Sequence, residues 1–411
     1  MRLKSSLFSL LVLLAHVPGQ AQPAAPPLPV PAGRIVTVST ELELQQAIRA
    51  LTSDTTVLIQ PGIYRLTGTL VVKGPLTNVV IRGATERRDD VVLVGPGMVD
   101  RSVPHGIWTG GGVNGILIAN LTIREFFYHC IIFNAGTEAP RLYNLRLVNA
   151  GQQIVKSNPD DAGGGVDDGI VEYSAVEYTV TSKDSYTNGV DVLGGRRWTI
   201  RNNVFRNIRA PLGQMAGPAV LVWRGSGETI TEGNTFIDCQ RAISYGLEPT
   251  SPPDHSGGAI RNNFIYRRMT QPGDAGITVF GSPATVVAHN TIVLSGTYTA
   301  AIEYRFAQAS GIQIVNNLTD AAIVRRDGAS ATVTGNYTQA IPAMFLDAPS
   351  GDLHLRPTAS AVIDHGVTVA RLSQDWDGQP RVQGPRPDIG ADEFDPSTAP
   401  RDVSLKTRVP R

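Results

Sequence analysis

The chain has 411 residues, enough for one elongated domain or two ordinary ones. Lys plus Arg and Asp plus Glu both total 36, so no global field draws it to nucleic acid or to a membrane surface. With 42 glycines and 28 prolines against 6% aromatic residues, the composition points to many turns and short strands rather than helices.

Residues 1–21 read as a secretory signal peptide. Arg2 and Lys4 form a basic start, Leu7 to Val17 is apolar apart from Ser9 and His16, and Gly19-Gln20-Ala21 offers small residues for cleavage. The apolar run is too short to span a bilayer, so the mature protein is expected to be secreted or periplasmic. Residues 22–33 are a Pro/Ala-rich linker. A short helix follows: Thr40 and Glu43 have capping-box spacing, and Leu44, Ala47, Ile48 and Leu51 form an apolar stripe. Its expected task is to cover the open end of a stack of strands.

The chain then repeats. Asn203, Asn234, Asn263, Asn290 and Asn317 each sit in an Asn-centred corner, spaced 31, 29, 27 and 27 residues apart. Asn120, Asn144 and Asn336 look like further copies. Each corner follows a short apolar strand such as Ile154-Val155, Val190-Asp191-Val192, Leu221-Val222-Trp223 or Ile302-Glu303-Tyr304. Strand–corner–strand units of this length indicate a solenoid, and the expected fold is all-β: a right-handed parallel β-helix over residues 34–346. Asn tolerates the left-handed conformation of a tight corner and can hydrogen-bond from coil to coil. Cys130 and Cys239 lie in apolar stretches four or more coils apart, roughly 20 Å at about 4.8 Å per strand, too far for a disulfide.

In such a stack a site is a column of outward side chains from successive coils. Taking the first apolar residue of each strand as inward, alternation turns Asp191, Val222 or Arg224, Ser244, Thr278 and Glu303 outward, with Arg305 two further on. Lys156 joins this face if Val155 is inward. Lys156, Asp191 and Arg224 would then span roughly 10 Å on three consecutive coils. Long insertions border this face, and they supply Tyr186, Asn188 and His255 as substrate-binding candidates together with Glu303 and Arg305. Asp167 and Asp168 are candidate ligands for Ca²⁺ in an acid-rich loop. A Lys/Arg column suits β-elimination or C5 epimerisation of a uronic-acid polymer. There a cation must neutralise the carboxylate beside a weakly acidic proton, and a base must remove that proton. Lys156 is the candidate base, Arg224 faces the carboxylate and Asp191 orients them. The partner is then an anionic polysaccharide, with no nucleic acid and no membrane span, and the protein is expected to be a monomer. Asp191 and Glu303 are roughly 19 Å apart, so glycoside hydrolysis would need a loop acid such as Asp167 or Asp168 beside Asp191. A non-catalytic carbohydrate-binding or adhesion protein is the remaining alternative.

The opening Thr56-Val57-Leu58-Ile59-Gln60-Pro61-Gly62-Ile63-Tyr64 and the Asn-Asn-x-Phe corners resemble the secreted pectate-lyase-like β-helix superfamily over roughly residues 35–346. Within it, Leu221-Val222-Trp223-Arg224-Gly225-Ser226 followed by Gly233-Asn234-Thr235-Phe236-Ile237-Asp238-Cys239 is similar to the catalytic coil of polysaccharide lyase family 6, the alginate and chondroitin lyases. That family places its catalytic lysine where Arg224 falls. Ala216-Gly217-Pro218-Ala219 stands where its acidic calcium ligands are expected, and Gly246 where its catalytic arginine is expected. The resemblance therefore implies the scaffold and the Arg224 position.

Residues 347–395, with Gly351-Asp352-Leu353-His354-Leu355, Asp375-Trp376-Asp377-Gly378 and Pro387-Asp388-Ile389-Gly390-Ala391-Asp392-Glu393-Phe394, resemble the choice-of-anchor-type tail of bacterial secreted β-helices. This segment is expected to cap the last coil through Ile389 and Phe394. Asp375, Asp377, Asp388 and Glu393 are either turn caps or cation ligands. A polar tail, 396–411, ends the chain.

Overall fold

The computed structural model describes residues 24–397; the segment expected to be a signal peptide and most of the polar tail lie outside the described residues. Three long parallel sheets run the length of the molecule. Sheet A has 12 strands, from Arg34–Val38 to Ala331–Thr334. Sheet B has ten, from Gly62–Arg65 to Leu318–Thr319, and sheet C has ten, from Leu70–Lys73 to Ala322–Arg325. Through the repeating region each coil contributes one strand to each sheet, and successive coils pair in register: Val155↔Val190↔Val220↔Ile243↔Ile277 in sheet C, for example. The chain is a parallel β-helix. Its inward positions are filled by Val, Ile, Leu and Phe from all three sheets, which together make one continuous core.

The helix forms as Glu41–Arg49. Thr40 Oγ1 accepts the Glu43 N–H at 3.2 Å, and the Glu43 carboxylate accepts the Ser39 and Thr40 N–H groups at 2.7 and 3.0 Å. Leu44 and Ile48 are buried against the first coil, so the first end of the stack is covered as expected.

The Asn corner divides its labour between two residues. The left-handed position belongs to Asn202, Gly233, Asn262, His289, Asn316 and Gly335, all with φ between 50° and 64°. The residue after it, Asn203, Asn234, Asn263, Asn290, Asn317 or Asn336, carries the ladder. Its Nδ2 donates to the Oδ1 of the next asparagine at 2.9–3.0 Å. Asn120 and Asn144, grouped with the ladder on sequence, occupy the left-handed position instead, with Leu121 and Leu145 filling the ladder place by packing.

The C-terminal segment docks differently from expectation. Phe345–Asp347 and Asp352–Leu355 form an antiparallel pair, and the rest wraps onto the side of the late coils rather than over the last one. Trp376 stacks on Phe264 with ring centroids 4.8 Å apart, and Ile389 and Leu353 join Tyr266, Val293 and Leu318 of sheet B in a second core. Arg381 donates to Asn262 Oδ1 at 2.7 Å, and Asn316 Nδ2 to the Val367 carbonyl at 2.6 Å. The reason lies on the outer face of sheet B. It carries Arg146, Glu177 and Arg206 early, where it meets water, and Phe264, Tyr266, Val293 and Leu318 late, where an apolar face needs cover. Trp376→Ala should cost about 3–5 kcal/mol in urea unfolding. A loss below about 1 kcal/mol would place this segment outside the cooperative unit.

Asp375, Asp388 and Glu393 act as turn caps. Asp375 accepts the Gln379 and Glu393 N–H groups, Asp388 those of Asp364 and Phe394, and Glu393 those of Gln383 and Asp388. Cys130 and Cys239 are both buried free thiols, and burial pushes Cys239 up to about 12. Among the described residues no helix is long and apolar enough to cross a membrane.

Candidate functional site

On the outer face of sheet C, strand register aligns Trp108, Ile132, Lys156, Asp191, Leu221, Ser244, Thr278 and Glu303 in one column. Most of this column is apolar or hydroxylic. At its centre, Lys156 Nζ lies 2.5 Å from Asp191 Oδ2, and both side chains are buried, at 7% and 2% exposure. The other carboxylate oxygen, Asp191 Oδ1, accepts the Trp223 indole N–H at 2.9 Å. Burial pushes the Asp191 pKa up; the Lys156 ammonium and the Trp223 N–H work against that rise. A buried ion pair outside the hydrophobic core adds little net stability, so its placement here calls for another role.

Arg224 follows directly. Its guanidinium sits over the Trp223 ring at 4.9 Å, it is exposed, and its charge reaches Asp191. The alternation was misplaced by one residue in this strand. Val220 and Val222 face inward, while Leu221 and Trp223 face outward, so Trp223, expected in the core, lies on the site face. Arg224 lies just past the strand in the left-handed region, φ 56°. Asp254 holds it there: one carboxylate oxygen accepts the Arg224 N–H at 2.8 Å, the other the N–H groups of Leu247 and Glu248 at 2.7 and 3.0 Å. Asp254 thus fixes both the Arg224 turn and the start of the 247–258 loop.

A second set of groups flanks the column. Cys130 and Ile131 both donate to the Ile154 carbonyl, at 3.0 and 3.2 Å, a local bulge. His129, just before it, stacks on His105 with centroids 5.2 Å apart. His129 Nδ1 lies 2.7 Å from the Gln153 carbonyl, so that nitrogen carries the proton and Nε2 keeps its lone pair. Burial, chiefly, lowers the His129 pKa to about 3, with the Lys156 charge acting in the same direction. The Gln153 side-chain amide is buried, and among the described residues neither of its polar atoms is hydrogen-bonded. Tyr128 packs between His105 and Phe127, and the Lys183 ammonium lies 4.7 Å over the Phe127 ring. The face therefore joins a neutral imidazole, a buried ammonium–carboxylate pair, an indole and an exposed guanidinium.

Other expected site residues go elsewhere. His255 is fully buried: its ring packs on Tyr245 at 4.4 Å, with Nδ1 2.8 Å from Ser282 Oγ and Nε2 3.2 Å from Thr229 Oγ1. It is a core histidine and cannot meet a substrate. Asn188 is buried and donates to the Pro218 carbonyl at 2.8 Å, a strut between coils rather than a binding group. Tyr186 is exposed, in a turn closed by Asp184. Glu303 is buried and paired with Arg326 at 3.1 Å, and Arg305 is paired with Asp327. Asp167 and Asp168 do not fit a Ca²⁺ site: Arg197 binds both at 2.7–3.0 Å, and the remaining Asp167 oxygen accepts the Arg196 N–H. These contacts also bind the loop acids that hydrolysis would have required.

Burial lowers His255 to about 3 from an ordinary 6.5. Protons therefore bind the unfolded chain first. The stability of the neutral buried ring is complete above about pH 6.5 and is lost as pH falls toward 3, at about 1.4 kcal/mol per unit. His255→Gln should remove about one proton from that acid slope, measured by urea midpoints between pH 7 and 5; an unchanged slope would contradict its burial.

Residues 188–342 match the family described as right handed beta helix region. Curated proteins give no match. Among solved structures, the chain is similar to an alginate lyase from Paenibacillus sp. str. FPU-7, with 15% identity and a TM-score of 0.55 over 74% of this chain and 99% of that one. It is also similar to pectate lyase Pel9A, at 14% identity and a TM-score of 0.46 over 88% and 96% of the two chains. A surface adhesin of Streptococcus pneumoniae aligns at 13% identity and a TM-score of 0.42, over 72% and 86%. With its three parallel sheets and its Asn-laddered corners, the chain is a right-handed parallel β-helix protein.

Proposed function

We propose that this protein is an exported polysaccharide lyase, or a C5-epimerase, acting on a uronic-acid-containing polymer along the outer face of sheet C. The observation that carries the proposal is the buried Lys156–Asp191 pair with Trp223 and Arg224 beside it. The fold shared with an alginate lyase over 74% of the chain supports the same reading.

In this mechanism the uronate carboxylate meets the Arg224 guanidinium and the Lys156 ammonium, which draw charge from the adjacent C5–H bond. Asp191, fixed by the indole, orients Lys156 toward the sugar. The proton leaves C5 to one of two bases. Lys156 serves once its ammonium passes a proton across the 2.5 Å contact to Asp191 Oδ2, Arg224 then holding the carboxylate alone; His129 Nε2 serves directly through its lone pair. For elimination, the C4–O bond breaks as the C4–C5 double bond forms, and O4 leaves as a hydroxyl after taking a proton from the protonated base or from water. For epimerisation, water delivers a proton to the opposite face of C5, and the protonated base returns its proton to solvent.

The test is incubation of purified protein with alginate, polygalacturonate and chondroitin. Unsaturated uronate absorbance supports a lyase, and exchange of C5 hydrogen with solvent deuterium supports an epimerase. New reducing ends without absorbance would replace this reading with hydrolysis. Binding with neither chemistry would make the protein an adhesion module.

A further inference from the structure

Away from the sheet C face, the docked C-terminal segment gathers a histidine and three carboxylates. His354 lies on the Asp352–Leu355 strand, with its ring edge-on to Phe264 and Trp376 at 5.1 and 5.2 Å. Its Nδ1 is 2.6 Å from Asp352 Oδ1 and its Nε2 is 3.0 Å from Asp377 Oδ2. One ligand atom each from His354, Asp377 and Asp392 lie within 4.8 Å of one another. Asp392 is buried at 5% exposure. Its Oδ2 accepts the Leu355 N–H at 2.7 Å, and no other hydrogen bond reaches this carboxylate among the described residues.

We infer that His354 Nε2, Asp377 and Asp392 form a binding site for a divalent transition-metal ion, of which Zn²⁺ fits best. Three features carry this. The first is the orientation of the imidazole: Asp352 on Nδ1 fixes that proton and turns the Nε2 lone pair toward two carboxylates, the arrangement in which an outer carboxylate orients a metal-bound histidine. The second is the donor set. One imidazole nitrogen with two carboxylate oxygens suits Zn²⁺ and its neighbours, whereas Ca²⁺ prefers oxygen alone. The 3.0 Å between His354 Nε2 and Asp377 Oδ2 is close to the ~3.3 Å edge of a tetrahedron with ~2.0 Å bonds. The third is access. A cleft of about 470 Å³ lined by His354, Asp377, Gln379, Asp392 and Glu393 opens onto the ligands, leaving room for water at the fourth position.

The site joins the Asp352–Leu355 strand to the 375–378 turn and to the Asp392 stretch, so metal would pin three parts of the segment where Trp376 stacks on the solenoid.

The test uses tag-free full-length protein, stripped with chelator and titrated with Zn²⁺ and separately with Ca²⁺ by calorimetry, with metal content measured after dialysis. The expected result is one Zn²⁺ per chain, no comparable Ca²⁺ binding, and a Tm that rises with Zn²⁺. Asp377→Asn, at a half-exposed side chain, should weaken Zn²⁺ by at least about tenfold, and Asp352→Asn, which removes only the orienting carboxylate, by about tenfold. Failure of the unmodified protein to bind Zn²⁺ stoichiometrically, or binding that Asp377→Asn leaves unchanged, would overturn the inference.

Discussion

Lys156→Met is expected to lower kcat/KM on the cleaved uronate polymer about a thousandfold, the range for loss of a positioned acid–base or charge-stabilising group. It removes the ammonium 2.5 Å from Asp191 while keeping much of the buried stem. The same change leaves a buried carboxylate with only the Trp223 indole as donor, and this should cost about 3–5 kcal/mol of stability. Folding and chemistry must therefore be read separately. Circular dichroism and urea unfolding report the first. Arg224→Ala isolates the second: the side chain is exposed and stacks on Trp223, so stability should change little. Its activity should still fall about a hundredfold, because the cation facing the carboxylate is gone. Full activity in both variants would remove this face from the chemistry.

The second large effect is on the Asn ladder. Asn263 Oδ1 accepts the backbone N–H and the side-chain Nδ2 of Asn234, both at 3.0 Å, while its Nδ2 donates to the Thr231 carbonyl and to Asn290 Oδ1 at 2.9 Å. All of these groups are buried. Asn263→Ala would strand several of them at about 1–3 kcal/mol each, partly relieved by entry of water. A loss of about 4 kcal/mol is expected in urea unfolding. Asn336→Ala removes the last rung, which is only half buried, and should cost about 1 kcal/mol. Equal effects at the two positions would mean that the ladder is not what ties one coil to the next.

Much of this was legible in the sequence, for a simple reason. A solenoid coil contacts mainly its two neighbours, so the Asn spacing and the apolar strands encode the stack locally. Thr40 and Glu43 encode the helix start in the same way, through contacts three residues apart. The docking of the C-terminal segment was also written along the chain, in the change on the outer face of sheet B from Arg146, Glu177 and Arg206 to Phe264, Tyr266 and Leu318. It becomes readable once the register is known.

The candidate site was legible only in part. Asp191 follows from alternation, and Lys156 joins it if Val155 is the inward residue of its strand; the structure buries Val155 and pairs the two directly. Trp223 reads as inward in the sequence because a one-residue change of phase exchanges every side chain between the two faces, and Leu221-Val222-Trp223 carries no polar residue to fix the phase. His129 was missed because a bulge at Cys130–Ile131 breaks the alternation that would have exposed it. A Tyr-His pair directly before an apolar strand was its only signal. His255 and Asn188 read as loop residues in the sequence because polarity along a chain says nothing about burial. Thr229, Ser282 and Tyr245, remote along the chain, give His255 an interior partner for each nitrogen.

The sequence by itself determined a parallel solenoid with Asn corners, a capped first helix and an outward Asp191, because these depend on period, spacing and local hydrogen bonding. Only the tertiary structure decided which acids are free and which are held by arginine or by backbone N–H groups. It alone also decided that Trp223 faces the site and that His354 meets Asp352, Asp377 and Asp392. Charge pairing and burial are fixed by neighbours brought from distant coils, and no local pattern along the chain records who those neighbours are.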